Sequence, residues 1–374
     1  MEKLWMPGRI GPMTVKNRTV RSATNEHLAT RSGELPPAWR EIYTELAEGG
    51  VGLIITGQFC VDAAQRADEG QPLLAEGMDA GMLARSGEIM GRTCEDVHRY
   101  GAKLVVQLSH TGAKAPERLN GCPGKGPADF DWQEMENLVK AFTFAAKTCQ
   151  DWGADGVQIH LAHGYLLSDF LNPEVNTRTD EYGGSLENRF RMSGEIIRAV
   201  REVCGREFAI LVKVDCTICG DLHGLLALCR DSGVDCAEIS SIDLVARKRE
   251  EEPIYLSAAV AARTGIDLPI CLVGGVNSLD GMRRVMDAGI EFVSLSRPLI
   301  REPDLIGRME RGEVEQGTCI GCSGCFKVYR QRPVRCVFHK KPIPQLEQVF
   351  GPYETTKNNF GKPLAIPGEM CYID

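Results

Sequence analysis

Eight short apolar runs, rich in Val, Ile and Leu, recur along the sequence and are separated by stretches with helical periodicity. The runs cover residues 18–22, 51–56, 103–108, 156–160, 209–214, 236–240, 270–275 and 292–296. Strands that alternate with helices form parallel sheets, and eight of them is the number that closes a (β/α)8 barrel. The sequence therefore predicts a TIM barrel over residues 1–311.

The stretches between these runs supply the predicted helices. Between Gln133 and Trp152, apolar residues recur at every third or fourth position, as on the buried face of an amphipathic helix. A second helix is predicted over Leu186–Val203, because Ser185 is a typical N-cap and Glu187 places a negative charge in the first turn. The rival fold, a doubly wound dinucleotide-binding sheet, requires a G-x-G-x-x-G motif, and the sequence contains none.

Charge and hydropathy argue against several classes of protein. The chain has 43 Lys and Arg against 51 Asp and Glu, and its longest basic run is the triplet 247–249. This balance offers no surface for a nucleic-acid backbone. No apolar stretch reaches the roughly 18 residues of a membrane span. The N-terminus lacks the apolar segment of a signal peptide and meets Pro7 and Gly8 almost at once, so a cytoplasmic location is predicted.

The chain contains 15 cysteines. Without a secretion signal, this number favours reduced thiols and metal sites over a disulfide framework. Four of them, Cys319, Cys322, Cys325 and Cys336, follow the spacing C-x2-C-x2-C-x10-C. Four thiolates in this pattern hold either a tetrahedral zinc ion or an iron–sulfur cluster, and spacing alone leaves both open. Residues 312–374 are predicted to form a Cys-rich extension of the barrel.

Active sites of TIM barrels lie where the strands end, so the residues there are the candidates for chemistry. The fourth run ends in His160, and His163 and Tyr165 follow within five residues. Two imidazoles can donate hydrogen bonds to one substrate oxygen, and a nearby Tyr hydroxyl can deliver a proton. Polar residues that merely cap a strand, or half of a metal site, are the alternatives.

Other strand ends also carry polar residues. Gln107 and Lys213 each place a donor near the predicted mouth of the barrel. A buried cation needs a partner, which for Lys213 is either an electron-rich cofactor ring or an acid such as Asp215. The last two strand ends often bind phosphate in barrels. There the chain has Gly274, Gly275, Ser296 and Arg297, which indicate a phosphorylated cofactor.

A second C-x2-C pair, Cys216 and Cys219, follows the fifth run. Cys229 and Cys236 lie downstream in a helical pattern and at a strand start, where we expect them to pack as small apolar residues. A second metal site is therefore the minor alternative at this position, although Cys216 can still face the substrate pocket.

The sequence resembles the Old Yellow Enzyme family of flavin oxidoreductases, most closely its 2,4-dienoyl-CoA reductase and trimethylamine dehydrogenase branch. The resemblance runs from about Arg9 to Cys336. Its most specific stretches are residues 16–24 (KNRTVRSAT), residues 107–115 (QLSHTGAKA), residues 160–191 and the ends of the last two strands.

The resemblance implies an FMN on top of the barrel. Ala23, Thr24 and Asn25 would line the isoalloxazine ring, Gly57 would approach it, and Gln107 would bind its pyrimidine edge. Lys213 stands where most members place an Arg beside the flavin, and Asn25 where relatives carry Thr, Cys or His. Lysine keeps the charge but loses the bidentate fork of arginine.

The resemblance also implies roles for the other candidates. His160 and His163 match the pair that anchors a substrate carbonyl oxygen, and Tyr165 matches the proton donor. The four C-terminal cysteines match a motif that carries a 4Fe-4S cluster. These features imply an ene-reductase acting on an α,β-unsaturated carbonyl compound. In the cluster-bearing relatives a further nucleotide-binding portion follows, so a separate partner protein, or NAD(P)H directly, is expected to supply the electrons here. A flavin-dependent amine dehydrogenase or demethylase, and a non-catalytic electron-transfer subunit of a larger complex, are the alternatives.

Overall fold

The computed structural model describes residues 2–241, 243, 253–327 and 334–338. The basic triplet 247–249 and most of the predicted Cys-rich extension lie outside the described residues. The four cysteines of the C-terminal motif lie within them.

The eight predicted strands form one closed barrel. The strands are β1 (Gly8–Ile10), β2 (Met13–Val15), β3 (Thr19–Arg21), β4 (Leu53–Cys60), β5 (Lys103–Ser109), β6 (Gly156–Leu161), β7 (Ala209–Asp215), β8 (Cys236–Ser240), β9 (Ile270–Val273) and β10 (Phe292–Leu295). Strands β3 to β10 pair in chain order, all in parallel, and β10 closes on β3. The predicted (β/α)8 fold is confirmed.

Helices surround the barrel. The described α-helices are α1 (Glu2–Trp5), α2 (Pro37–Glu48), α3 (Ala80–Arg99), α4 (Glu117–Asn120), α5 (Trp132–Asp151), α6 (Leu166–Leu171), α7 (Leu186–Cys204), α8 (Leu222–Asp231), α9 (Leu256–Arg263), α10 (Leu279–Asp287), α11 (Arg297–Arg301), α12 (Leu305–Glu310) and α13 (Gly324–Lys327). The two predicted helices correspond to α5 and α7 within one residue at each end. Ser185 caps α7 by accepting a hydrogen bond from the Asn188 N–H, as predicted.

The inside of the barrel is apolar at its lower end. Side chains that alternate inward from the strands, among them Leu53, Val105 and Leu211, pack with Phe292. The hairpin β1–β2, which the sequence analysis did not predict, closes this end with Ile10, Met13 and Val15. Because the lower end is sealed with apolar side chains, the polar inward positions are left to the upper end.

Among the helices that the structure describes, none combines the length and the apolar character that crossing a bilayer demands. Cys229 and Cys236 are fully buried, as expected of small apolar residues. After α12 the chain returns to the barrel. The Asn277 amide holds it there by donating hydrogen bonds to the carbonyl oxygens of Gly317 and Cys319 at 2.8 and 2.9 Å. The proposed boundary between residues 311 and 312 remains a prediction.

Candidate active site and cysteine cleft

The three candidate catalytic side chains lie together at the upper end of the barrel. His160 is near the end of β6, and a tight turn carries the chain to Tyr165 at the start of α6. In this turn His163 and Gly164 have φ angles of 65° and 67°. A non-glycine residue with positive φ is uncommon and is often found at functional sites. The Gly164 N–H donates to Ser168 Oγ at 3.0 Å, which holds the turn against α6.

Hydrogen bonds connect these side chains. His160 Nε2 lies 3.3 Å from His163 Nδ1, and His163 Nε2 lies 3.0 Å from Ser240 Oγ at the end of β8. The rings of His160 and Tyr165 are 5.0 Å apart, and the Gln58 amide donates to the Tyr165 hydroxyl at 2.8 Å. His160 Nδ1 is buried without a hydrogen-bond partner in the described part of the chain. The structure therefore brings the predicted trio together.

Both histidines are neutral at neutral pH. Burial is the main cause that lowers the pKa of His160 and of His163 well below the usual value, and the charges of Lys213 and Lys114 add to it. A neutral imidazole carries one N–H donor and one acceptor nitrogen. Both nitrogens of His163 already contact His160 and Ser240, so the pair can donate to an anionic oxygen through His160 Nδ1, and through His163 once the oxygen replaces one of its present partners.

A layer of polar side chains crosses the barrel next to the histidines. Lys213, next to His160 across the sheet, donates to Ser22 Oγ at 3.0 Å and pairs with Glu238 at 3.5 Å. Glu238 also accepts from Ser294 Oγ at 2.5 Å. Lys213 thus takes an ionic partner from the barrel, which was one alternative, but the partner is Glu238. Asp215 instead accepts from Thr217.

Gln107 belongs to the same layer. Its amide donates to Gln158 at 2.7 Å, and Gln158 in turn donates to Glu238 at 3.1 Å. Gln107 and Lys213 are therefore joined through two buried intermediates. We call this layer of buried polar side chains the polar floor.

The end of β3 and the residues after it border this floor. Ala23 packs on the barrel interior, and Thr24 Oγ1 lies 2.8 Å from Ser296 Oγ. Asn25 donates to Asp68 at 3.2 Å. A Cβ at Gly57 would lie 2.8 Å from Asn25 Cα, so only glycine permits the close approach of β4 to this segment.

The predicted phosphate-binding residues line one cavity at the ends of β9 and β10. These are Gly274, Gly275, Ser296 and Arg297. Gly274 and Gly275 have φ angles of 155° and 76°, which glycine adopts most readily. The Arg297 guanidinium, however, donates to the Gly321 carbonyl at 3.1 Å and to Ser323 Oγ at 2.9 Å. Arg297 therefore stands between the cavity and the cysteine-containing segment.

The four cysteines of the C-terminal motif line a second cleft, which we call the cysteine cleft. Its lining consists of Cys319, Cys322, Cys325 and Cys336 with Arg297, Ile300, Arg301, Ile320, Ser323, Val337 and Phe338. Arg297, Cys319 and Ile320 also line the phosphate cavity. The two cavities are therefore direct neighbours.

The donors around the cysteine cleft suit thiolates. The Gly324 N–H donates to Cys322 Sγ and Arg301 donates to Cys336 Sγ, both at 3.4 Å. Burial raises the pKa of Cys325 to about 11, and the Arg297 charge opposes this rise. In the described ranges, no three His, Cys, Asp or Glu side chains are yet grouped as an assembled metal site.

The sequence matches a known protein family and several of its characterised members. A sequence model of the NADH:flavin oxidoreductase / NADH oxidase family matches residues 3–316. The chain belongs to this family. An NADPH dehydrogenase of Bacillus velezensis is 31% identical over 321 residues, which cover 80% of this chain and 92% of that protein. The chain is thus an oxidoreductase of a family that works with FMN and NADH or NADPH.

Two solved structures share the fold. The complex of 2-naphthoyl-CoA reductase with 2-naphthoyl-CoA has a TM-score of 0.81 at 22% identity, covering 94% of this chain and 58% of that one. Histamine dehydrogenase from Rhizobium sp. 4-9 has a TM-score of 0.78 at 25% identity, covering 90% of this chain and 52% of that one. The chain therefore spans little more than half the length of both solved proteins.

The structure also adds residues that the sequence analysis did not single out in this member of the family. Gln58, Ser240 and Glu238 contact the predicted residues directly. Side chains along a strand alternate between the inside and the outside of the barrel, and on β4 and β8 this alternation predicts that these three polar residues face inward. Lys114, which donates to the His163 carbonyl at 2.6 Å, lies in a short helical turn after β5, where strand alternation gives no signal.

The second C-x2-C pair is less suited to metal binding. Cys219 is buried and Cys216 half-buried. Burial raises the pKa of Cys216 to about 12 and that of Cys219 to about 11, and the negative charge of Asp215 adds to both rises. Burial also raises the pKa of Cys319 and Cys325 in the cysteine cleft, but there the Arg297 charge opposes the rise. In the described part of the chain, the pair Cys216 and Cys219 lacks such a cation among the causes of its pKa shifts, which makes it less suited to holding thiolates.

Proposed function

We propose that this chain is an FMN- and 4Fe-4S-dependent ene-reductase. It would transfer a hydride to the carbon–carbon double bond of an α,β-unsaturated carbonyl compound, such as an enoyl thioester or a cyclic enone. The observation that carries the proposal is the pair of buried, neutral histidines beside Tyr165. This group supplies two functions that alkene reduction needs, an oxygen anchor and a proton donor.

The residues present suit an FMN. The glycine-lined cavity at the ends of β9 and β10 would hold the phosphate, with Ser296 and Arg297 as further donors. Gln107 and Lys213 lie in the polar floor, where a donor and a cation would meet the polar edge of an isoalloxazine ring. Ala23, Thr24, Asn25 and Gly57 border the same space.

When bound and reduced, FMN supplies the hydride. His160 and His163 hold the substrate oxygen and stabilise the negative charge that develops there. The unpartnered His160 Nδ1 is one group available for this contact. Tyr165, kept in place by Gln58, gives its hydroxyl proton to the α-carbon. Ser240 fixes the orientation of the His163 ring.

Two cations favour this reaction over amine oxidation. Lys213 and Lys114 both act on the histidine pair and lower the pKa of each imidazole. They would stabilise an enolate at this position and repel a protonated amine. The amine dehydrogenase alternative is therefore the weaker one for this site.

The cluster proposal rests on the donor set of the cysteine cleft. Four thiols, hydrogen bonds donated to sulfur by the Gly324 N–H and by Arg301, and apolar neighbours are the surroundings typical of an iron–sulfur cluster. Such a cluster would pass electrons singly from a partner protein. NAD(P)H binding above the flavin is the other source of electrons.

The first test is a visible absorption spectrum of anaerobically purified protein, with iron and acid-labile sulfide measured on the same sample. We expect flavin bands, a broad shoulder and about four iron atoms per chain. Flavin with zinc and no iron would contradict the cluster, and protein without flavin would contradict the whole proposal.

The second test is Tyr165→Phe, with Tyr100→Phe as control because Tyr100 is exposed. We expect Tyr165→Phe to keep FMN but to slow the reduction of 2-cyclohexenone by about 10²- to 10⁴-fold, the usual contribution of a general acid. Turnover equal to that of the control would remove Tyr165 from the mechanism.

A further inference from the structure

Lys114 contacts two members of the proposed catalytic trio, His163 and Tyr165. It ends the short helical turn Gly112–Lys114 that follows β5. Its ammonium group donates to the His163 carbonyl at 2.6 Å and lies 5.5 Å from the centre of the Tyr165 ring, over its face. Part of the side chain is exposed to solvent, whereas Tyr165 is buried.

The charge of Lys114 reaches the rest of the site. It helps to keep both histidines neutral. Burial raises the pKa of the Asp169 carboxyl, one turn after Tyr165 on α6, and the charge of Lys114 opposes this rise. A Cβ placed on Gly164 would lie 2.8 Å from Lys114 Nζ and 3.7 Å from Asp169 Oδ1. Lys114 and Asp169 are thus two charged groups close to Tyr165, and Lys213 also acts on the histidines.

We infer that Lys114 is a positioning residue that stabilises the phenolate left on Tyr165 after proton transfer to the substrate. The inference deepens the proposed function and rests on it. In this step the Tyr165 O–H bond breaks and a C–H bond forms at the α-carbon. The negative charge moves from the substrate oxygen to the Tyr165 oxygen, and solvent returns the proton before the next turnover. A cation over the ring lowers the energy of that phenolate.

A double-mutant cycle separates this role from simple support of the His163 turn. The four proteins are the wild type, Lys114→Met, Tyr165→Phe and the double variant, each with FMN bound. Reduction of 2-cyclohexenone is followed as product formation, and the FMN dissociation constant is measured for each protein. Lys125→Met serves as control, since Lys125 lies in the same connection but pairs with Glu134.

We expect Lys114→Met to slow product formation about 5- to 50-fold, less than a fully buried charge would because solvent screens it. In the Tyr165→Phe background the same substitution should change the rate less than about twofold, because no phenolate forms there. Lys114→Arg keeps the charge and should restore most of the rate.

Equal effects of Lys114→Met in both backgrounds would overturn the inference, because support of the His163 turn would act with or without the phenol. If Lys114→Met fails to fold or to bind FMN, Lys114→Arg decides, and an equally slow Lys114→Arg overturns the inference. A wild type that binds FMN but does not reduce the enone would instead overturn the proposed function.

Discussion

The barrel mouth and the cysteine cleft differ in how much of each site is built by the protein alone. At the mouth, His160, Lys213 and Glu238 lie on neighbouring strands whose pairing sets their separations. Hydrogen bonds to Gln58 and Ser240 then fix the orientations of Tyr165 and His163. The cysteine cleft is lined by one side of α11, by the short helix α13 and by irregular segments that carry three of its four thiols, and these thiols form no assembled site in the described residues.

This difference shows where the energy for each arrangement comes from. The barrel core stabilises the mouth, so the mouth is ready before any ligand binds. In the cysteine cleft, bonds to a metal would supply the energy that the local structure lacks. A substitution that removes a side chain from one region should therefore leave the other region intact.

The largest effect is expected from Cys322→Ser. Cys322 is exposed and lies at the centre of the motif. We predict loss of essentially all iron, sulfide and cluster absorbance, with no change in the thermal unfolding of the barrel, because the cleft contributes little to the core. Cys122→Ser is the control, as Cys122 is half-buried and lies outside the cleft. Iron retained by Cys322→Ser would contradict its role as a ligand, and an unfolded barrel would contradict the independence of the two regions.

The reciprocal change is Glu238→Ala in the polar floor. It leaves the buried Lys213 ammonium without its ionic partner and removes the acceptor for Gln158 and Ser294. We predict a loss of about 3–5 kcal/mol in the free energy of unfolding, measured in urea, because an uncompensated buried charge is costly. Iron content of the folded fraction should not change. An effect no larger than that of the exposed control Glu207→Ala would show that the floor is not held by this pair.

Arg297 is where the two regions meet, since it lines both the phosphate cavity and the cysteine cleft. Arg297→Met removes its bonds to Gly321 and Ser323 and its charge from the phosphate cavity. Hydrogen bonds to charged groups contribute about 1.5–3 kcal/mol, so we predict roughly 10- to 100-fold weaker FMN binding together with reduced iron content. FMN affinity is measured by fluorescence titration, with the exposed Arg283→Met as control. Loss of one cofactor without the other would place Arg297 in a single site.

The sequence predicted the mouth better than the cleft for a physical reason. Strand alternation and the rule that barrels place their sites at strand ends predict the location of His160, Gln107 and Lys213 from the sequence alone. Glu238 obeys the same alternation but was not recognised as the partner of Lys213, because the sequence does not give the register that places the two residues side by side on neighbouring strands. Arg297 was expected at a phosphate, and its turn toward Ser323 depends on tertiary contacts that no spacing records.

The smallest effect we predict concerns Asp169 at the rim of the mouth. Burial raises the pKa of this carboxyl from 3.8 to about 6, and the nearby Lys114 opposes the rise. The folded protein therefore holds the proton more tightly than the unfolded chain, so this group stabilises the fold below about pH 4 and loses that contribution as the pH rises through 6. At pH 7 the buried ionised carboxylate lowers the free energy of unfolding.

Asp169→Asn should remove this destabilisation and raise the free energy of unfolding by about 1–2 kcal/mol. This range is the free energy of a pKa change of about two, reduced for screening by solvent. At pH 4 the variant and the wild type should be equally stable.

The histidine pair changes stability with pH in the opposite direction, because its lowered pKa values destabilise the fold below about pH 6.5. This contribution is the same in both proteins and cancels in the difference between their free energies of unfolding. Urea unfolding of both proteins at the two pH values makes the measurement. A variant less stable than the wild type at pH 7 would mean that attraction to Lys114 outweighs burial, and that the mouth of the barrel holds Asp169 as an ion.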